Sequence, residues 1–381
     1  MRALAPRLSA VFSVACALWL ASACTEQAVA PEPVVSGEPS ASIDDPWLIE
    51  TAAELGEKLG GVAVSDLLPD TLGNEIVAVG ESGRVTLVRY DDSGWSHEML
   101  ADFDGEMIQV AAGELNGRLG SEVVAVGMAV GGEDDGGDGL AHLLTRAMDG
   151  TWSTVELHRS SALIHAVCVF DADGDGAQEI ALAGFAKQLV VLSSGADGWN
   201  VMAEVPLAAA GKNLVPHSGG VAVALTDGTV VHTSAANDWK AEVIDRGSAG
   251  RARLGSDGER LVIASDDGSL VMLGANGSRA DLHRSGQKLR GAVLHNLVPI
   301  SSGLEAATVG YDGRVIAITF DDGKATEQVI HSEGEALHHL AAGTLASRGD
   351  GVWLVTVGYS GRVLVARGPG WAQDAGVDPT K

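Results

Sequence analysis

Nine consecutive residues of this chain carry the pattern of a calcium loop. In Asp171-Ala-Asp173-Gly-Asp175-Gly176-Ala177-Gln178-Glu179 the acids fall at alternate positions and turn toward one point, and Gly174 and Gly176 permit the tight curl. Calcium takes about six to eight oxygens with loose angular demands. Asp171, Asp173 and Asp175 would supply carboxylates, the Ala177 carbonyl a further oxygen, and Glu179 would close the shell. An EF-hand needs its last Glu three residues later, where Leu182 stands, so the loop is expected to join two strands. The alternative is an Asp/Gly-rich turn without metal.

A second set of residues bears nitrogen. Gln109, His165, Arg290 and His338 open apolar segments at what read as equivalent places, and His158, His283 and His331 each lie seven residues before one of the last three. Imidazoles and a guanidinium converging on one axis can hold a carboxylate, a phosphate, a sugar acid or a transition metal. The competing reading is shared ancestry, each side chain satisfying a backbone group or a channel water. No nucleophile elbow, zincin, P-loop or dinucleotide fingerprint accompanies them.

The elements that must position both sets come from a repeat. A unit of roughly fifty residues recurs about seven times between Trp47 and Trp371, a period that in a strand-rich chain means a β-propeller. Each unit has an outer strand opening at a Trp (Trp95, Trp152, Trp199, Trp239) and an apolar inner strand. A second strand ends in Gly, as in Glu75–Gly80, Glu122–Gly127, Glu179–Gly184 and Glu305–Gly310, and a third follows a tight turn, as in Gly313–Ile318. Inner strands are expected near Leu59, Ile108, Ile164, Val215, Ala252, Leu289 and Leu337. The fold class is therefore all-β, a seven-bladed β-propeller over 47–368 with helix content near zero. The segment Asp45–Glu50 supplies the outer strand that the seventh blade lacks, closing the ring, and 369–381 is a tail. Six or eight blades remain alternatives, because the fourth and fifth units are short.

The acidic loop followed by an apolar strand and Gly184 resembles the calcium motif of FG-GAP/VCBS repeat propellers, the repeat class of integrin α-subunit heads. The resemblance covers roughly residues 47–368, specific in the third copy and loose elsewhere. It implies one structural calcium. The second copy has Arg118 in place of the third acid, the first (Asp66–Glu75) is a residue longer, and the sixth (Leu297–Glu305) has lost its acids. Some propellers of this class, similar to aldos-2-ulose dehydratase, act on sugars.

Residues 1–23 read as a secretory signal peptide: a basic start, an apolar run from Leu8 to Leu20, then small residues. Leu20-Ala21-Ser22-Ala23-Cys24 resembles a bacterial lipobox, which implies lipidation of Cys24; ordinary cleavage after Ala23 is the alternative. Residues 24–46, rich in Pro, Ala, Ser and Glu, form a flexible tether. This address is the bacterial cell envelope: periplasm, outer membrane or cell surface, anchored by lipid. Cys16 leaves with the signal, so Cys168 stands alone as a small core residue. The chain carries 25 Lys+Arg against 51 Asp+Glu, a net charge of −26 that disfavours nucleic acid. A loop enriched in acid and glycine around Glu133, Asp134 and Asp135 lengthens one hairpin.

These readings converge on a monomeric, membrane-tethered scaffold or binding module for a protein or glycan partner, stiffened by calcium. The alternative is a carbohydrate-active enzyme, lyase- or dehydratase-like, working at a His/Arg ring around the channel mouth.

Overall fold

Short β-branched runs bounded by glycine and aspartate fold as strands throughout. The structure, a computed structural model, describes residues 46–371 except 72, 131–136, 248–249, 251, 300, 302, 322–323, 346–347 and 349–350. All described residues lie within the unit Ala41–Lys381. The signal peptide, Cys24, the tether up to residue 45, Glu133–Asp135 and residues 372–381 fall outside them.

Among the described residues twenty-eight strands form seven four-stranded antiparallel sheets. The inner strands are β2 (Leu59–Ser65), β6 (Gly105–Gly113), β10 (Ile164–Phe170), β14 (Gly211–His217), β18 (Ala252–Ser256), β22 (Leu289–His295) and β26 (Leu337–Thr344). Each packs beside the next around a central axis, and β2 meets β26. β6 and β14 begin earlier than their apolar runs suggest, at Gly105 and Gly211. A 3-10 turn, Ala235–Asn237, interrupts the fourth blade between its third and outer strands. It corrects one expectation: Trp239 does not open an outer strand. It follows this turn with φ 58°, and β17 starts at Glu242. No helix among the described residues is long and apolar enough to cross a membrane.

The ring closes as the sequence implies. β1 (Leu48–Glu54) pairs antiparallel with β28 (Arg362–Arg367), completing the sheet of β26, β27 (Val352–Gly358) and β28. This pairing covers the edge that β28 would otherwise expose.

Seven apolar clusters hold the blades together, one for each seam between neighbours. The second strands show why. β3 (Glu75–Gly80) is buried along its whole length. Successive side chains point to opposite faces, so Ile76 and Ala78 enter the seam with the seventh blade while Val77 and Val79 enter the seam with the second. A strand buried on both faces reads as a continuous apolar run rather than an alternation. Each buried Val or Leu contributes about 1.5–3 kcal/mol.

In five blades a glycine at or near the end of the second strand (Gly80, Gly127, Gly184, Gly310, Gly358) answers a close approach. A Cβ on Gly127 would lie 1.8 Å from the Glu106 carbonyl oxygen, and one on Gly184 would lie 2.0 Å from that of Leu163. The inner strand of the same blade crosses there, leaving room for hydrogen only.

Candidate functional site

The crossing has a second consequence. In six blades the inner strand carries a β-bulge early in its pairing with the second strand. The register shifts lie between Leu59 and Gly61, Met107 and Gln109, Ile164 and Ala166, Gly211 and Asn213, Leu289 and Gly291, and Leu337 and His339. Bulges re-aim side chains at rims. The bulged residues are Gly60, Ile108, His165, Lys212, Arg290 and His338; in the fifth blade, paired without a bulge, Arg253 lies opposite Ala264 and matches Gln109 and His339. Four of the six bulged positions therefore carry nitrogen.

Gln109 is one residue out of phase with the histidines. It matches His339, not His338, and the equivalent position in its blade is Ile108. It still joins the group, because its amide nitrogen lies 2.9 Å from His339 Nε2. The first blade permits this reach between the second and seventh. It offers only Gly60 and Gly61, whose Cβ atoms would fall 2.7 Å from the Ile108 oxygen and 2.8 Å from Gln109 Cα.

Lys58, Gly60, Glu81, Glu106, His165, Lys212, His338 and Tyr359 are among the residues around a cavity of about 250 Å³ at this mouth. Gln109, His165, Lys212, Arg253 and Arg290 are all buried. Burial, then the charges of Lys212, Arg253 and His338, hold His165 well below the ordinary imidazole range. Burial and then Arg253 press His338 to about 3 and His339 to about 4. His338 Nδ1 donates to the Gly60 carbonyl at 3.1 Å, and the Val62 N–H donates to His339 Nδ1 at 3.3 Å. His165 Nδ1 is buried without a hydrogen-bond partner. Aromatic rings back the cations. Lys212 Nζ sits 5.0 Å from the Phe185 centroid, the Arg290 guanidinium 4.6 Å from that of Tyr311, and the His338 ring stacks on Tyr359 at 5.8 Å. Arg290 also pairs with Asp266 at 2.6 Å.

His158, His283 and His331 are placed elsewhere. They sit near the ends of the outer strands β9 (Trp152–Ser160), β21 (Arg279–Arg284) and β25 (Lys324–Ser332). Three strand spacings, roughly 14 Å, separate an outer from an inner strand. These histidines share an end of the ring with the mouth but not the mouth itself. His283 Nδ1 meets Glu327 of the next blade at 2.8 Å, His331 lies 3.9 Å from Glu333, and burial lowers the pKa of His158.

The acidic loop lies between β10 and β11 (Glu179–Gly184). Carboxylate oxygens of Asp171, Asp173 and Glu179 come within 4.8 Å of one another; Asp175 stays outside this trio. Asp171 accepts the N–H groups of Gly174 and Gly176 at 2.7 and 3.1 Å, and Asp175 accepts that of the exposed Ala177 at 2.8 Å. Glu179 has a role that spacing did not show. Its Oε2 accepts the Ala172 N–H at 2.7 Å, clasping the loop. Glu75 clasps Leu67 and Leu68 in the same way at 2.9 and 3.0 Å, Glu122 clasps Leu115 at 2.8 Å, and Glu305 clasps Leu297 and Val298 at 2.7 and 3.1 Å. In those three blades the second carboxylate oxygen takes a hydrogen from Thr71, Asn116 or Ser301. In the third blade the side chains at those places are acids. Burial first, then Asp173, Asp175 and Asp171, push the Glu179 carboxyl above its usual range. A hard divalent cation fits where the other blades put a donated hydrogen.

Neither a family model nor a curated protein matches this sequence. Among solved structures, the chain is similar to the WD40 β-propeller domain of Doa1, with a TM-score of 0.61 and 13% identity over 86% of this chain and 98% of that one. At that identity the likeness is one of fold: the protein is a seven-bladed β-propeller.

Proposed function

We propose that this chain is a non-catalytic binding module of the bacterial cell envelope, related to the FG-GAP/VCBS repeat propellers and tethered through lipid on Cys24. Its recognition site is the channel mouth, its partner a protein or glycan. The observation that carries this reading is the state of the mouth histidines. His338 and His339 are held neutral far below physiological pH, and their Nδ1 atoms engage backbone groups. A general acid or base needs a pKa near the working pH and an orienting partner. These side chains are built to position and bind, which disfavours the lyase- or dehydratase-like alternative.

The test is a panel of immobilised glycans and peptides probed with the purified chain, bound ligands being eluted and weighed by mass spectrometry. A retained ligand recovered unchanged is expected. A ligand recovered with altered mass would make the protein an enzyme.

Calcium at Asp171, Asp173 and Glu179 belongs to the same proposal, its role being to relieve the repulsion in the β10–β11 loop. Elemental analysis should find about one calcium per chain. EGTA should lower the melting temperature by a few degrees, the effect of about 1 kcal/mol in a protein of this size, and leave ligand capture intact. A metal-free protein would remove the site.

A further inference from the structure

We propose that the fold makes Asn116 a site of spontaneous deamidation, and that the carboxylate it becomes opens the clasp of the second blade. The site lies in the loop between β6 and β7 (Glu122–Ala129), and the proposal is independent of the binding-module reading.

An asparagine followed by glycine is open to attack by the next backbone nitrogen on its own side-chain amide carbon, because glycine has no Cβ to bar the approach. The chain has two such pairs, Asn116-Gly117 and Asn276-Gly277. Both asparagines are exposed. Gly117 and Gly277 have φ of 68° and 77°, and a Cβ on either would meet nothing within 4 Å. Access to water and room to close a ring are therefore alike at the two sites.

Hydrogen bonding separates them. In each pair the asparagine Oδ1 accepts the N–H two residues on, from Arg118 at 2.8 Å and from Ser278 at 2.9 Å. Such a donor steadies the negative oxygen that forms when a nucleophile adds to the amide carbon. The nucleophiles differ. The Gly277 N–H donates to the Gly274 carbonyl at 2.8 Å, and that bond must break before the nitrogen can lose its proton. Among the described residues the Gly117 N–H has no acceptor, so its nitrogen is open to base from the solvent.

The chemistry balances with water alone. Hydroxide removes the Gly117 amide proton, and the nitrogen forms a bond to Asn116 Cγ. The Cγ–Nδ2 bond breaks, and ammonia leaves with a proton from water, which restores the hydroxide. A second water opens the cyclic imide at either carbonyl and leaves aspartate or its β-linked isomer. The sum exchanges one amide and one water for one carboxylate and one ammonium ion.

The position gives the change its consequence. Asn116 Nδ2 donates to Glu122 Oε1, while Glu122 Oε2 holds the Leu115 N–H at 2.8 Å. A carboxylate at position 116 has no hydrogen to give. It also stands against Glu122, whose carboxyl burial already pushes above its usual range, with Glu114 adding to the push. The second loop then carries acids at the places of Asp171, Asp173 and Glu179 in the third, and its clasp loses the hydrogen that tied it.

The purified full chain, aged for weeks in mildly alkaline buffer, digested and read by mass spectrometry, tests this. In the folded protein Asn116 should exchange amide for hydroxyl about fivefold faster than Asn276, the effect on a rate of one backbone hydrogen bond that must first break. In urea the two should convert at similar rates. The aged protein, and Asn116→Asp made directly, should melt a few degrees below the fresh parent, as loss of one hydrogen bond to a charged group requires. Conversion of Asn116 no faster than that of Asn276, or an advantage undiminished in urea, overturns the assignment of the site to the fold. A variant that melts with the parent overturns the effect on the clasp. Should Asn116→Asp fail to fold, the fragments and the melting curve of the aged natural chain decide both.

Discussion

Acidification from neutrality to about pH 4.5 should remove about 5 kcal/mol of folding stability through His338 and His339 alone. Burial, then Arg253, keeps these rings neutral in the folded chain down to about 3 and about 4. In the unfolded chain they take protons at about 6.5. Below that value the unfolded state binds more protons than the native one. Stability therefore falls with pH by about 1.4 kcal/mol per unit for each ring until the folded pKa is reached. His165, lowered further and for the same first reason, steepens the loss. Burial of Glu75, Glu122 and Glu179 works in the opposite sense. Their raised carboxyl pKa values mean a penalty at neutral pH that is relieved as pH falls through those values toward 4.5, so they offset part of the loss. Domains of this kind have about 5–15 kcal/mol to lose. Urea unfolding followed from pH 7 downward should show the midpoint dropping from about 6.5, and the double variant His338→Gln/His339→Gln should flatten the curve. A midpoint that holds constant down to pH 5 would refute the account.

Cutting the tie between β1 and its neighbours should be as damaging. Glu50 of β1 accepts the indole N–H of Trp95, in the outer strand of the first blade, at 2.9 Å and pairs with Arg348 of the seventh. The Arg348 side chain is 4% exposed and lies over Tyr90 and Trp353, at 4.3 and 5.5 Å. Glu50→Ala removes the carboxylate and leaves this guanidinium buried without it. Breaking such a pair from one side costs about 3 kcal/mol, the low end of its range because Glu50 keeps some contact with water. Deleting residues 46–54 goes further. It takes Ala52 and Ala53 from a seam and bares the β28 edge, where Val363, Leu364 and Val365 are buried. An apolar strand edge of this kind recruits other chains, so the deletion should yield aggregate rather than monomer. Chemical denaturation of Glu50→Ala and light scattering of the deletion check both. A point variant within about 1 kcal/mol of the parent would show that closure does not depend on this carboxylate.

The blades were legible because their rules are local. Tight turns and apolar runs ending in glycine mark strands without knowledge of any partner, and Asp45–Glu50 reads as the outer strand that the seventh blade lacks, although the strand itself runs Leu48–Glu54. What escaped notice needs a partner to define it. The bulge that separates Gln109 from His338 in phase exists only when an inner strand is counted against the second strand. Lys212 and Arg253 carry no signal in the sequence because the fourth and fifth units are short and the apolar run around Val215 begins only after Gly211-Lys212-Asn213. The clasp at Glu75, Glu122, Glu179 and Glu305 was visible as a repeated letter. Its persistence in the sixth copy, where the other acids are gone, was the signal that it serves the loop itself. His158, His283 and His331 were grouped with the mouth by a constant spacing, which fixes an end of the ring but not a radius. Trp239 kept the repeat's letter while the turn at Ala235–Asn237 moved it off the strand.

The pairing of β1 with β28 also fixes an order of events. Leu48 is made early and its partner Arg367 more than three hundred residues later. Six sheets can grow from contiguous hairpins as the chain emerges, each a local and fast step. The seventh must wait, and its completion closes the longest loop in the molecule at an entropic cost that the earlier hairpins do not share. Docking of β1 is therefore the natural last event of folding. Until it occurs the β28 edge is open, and the interval between synthesis and docking is when this protein most needs protection from its own copies.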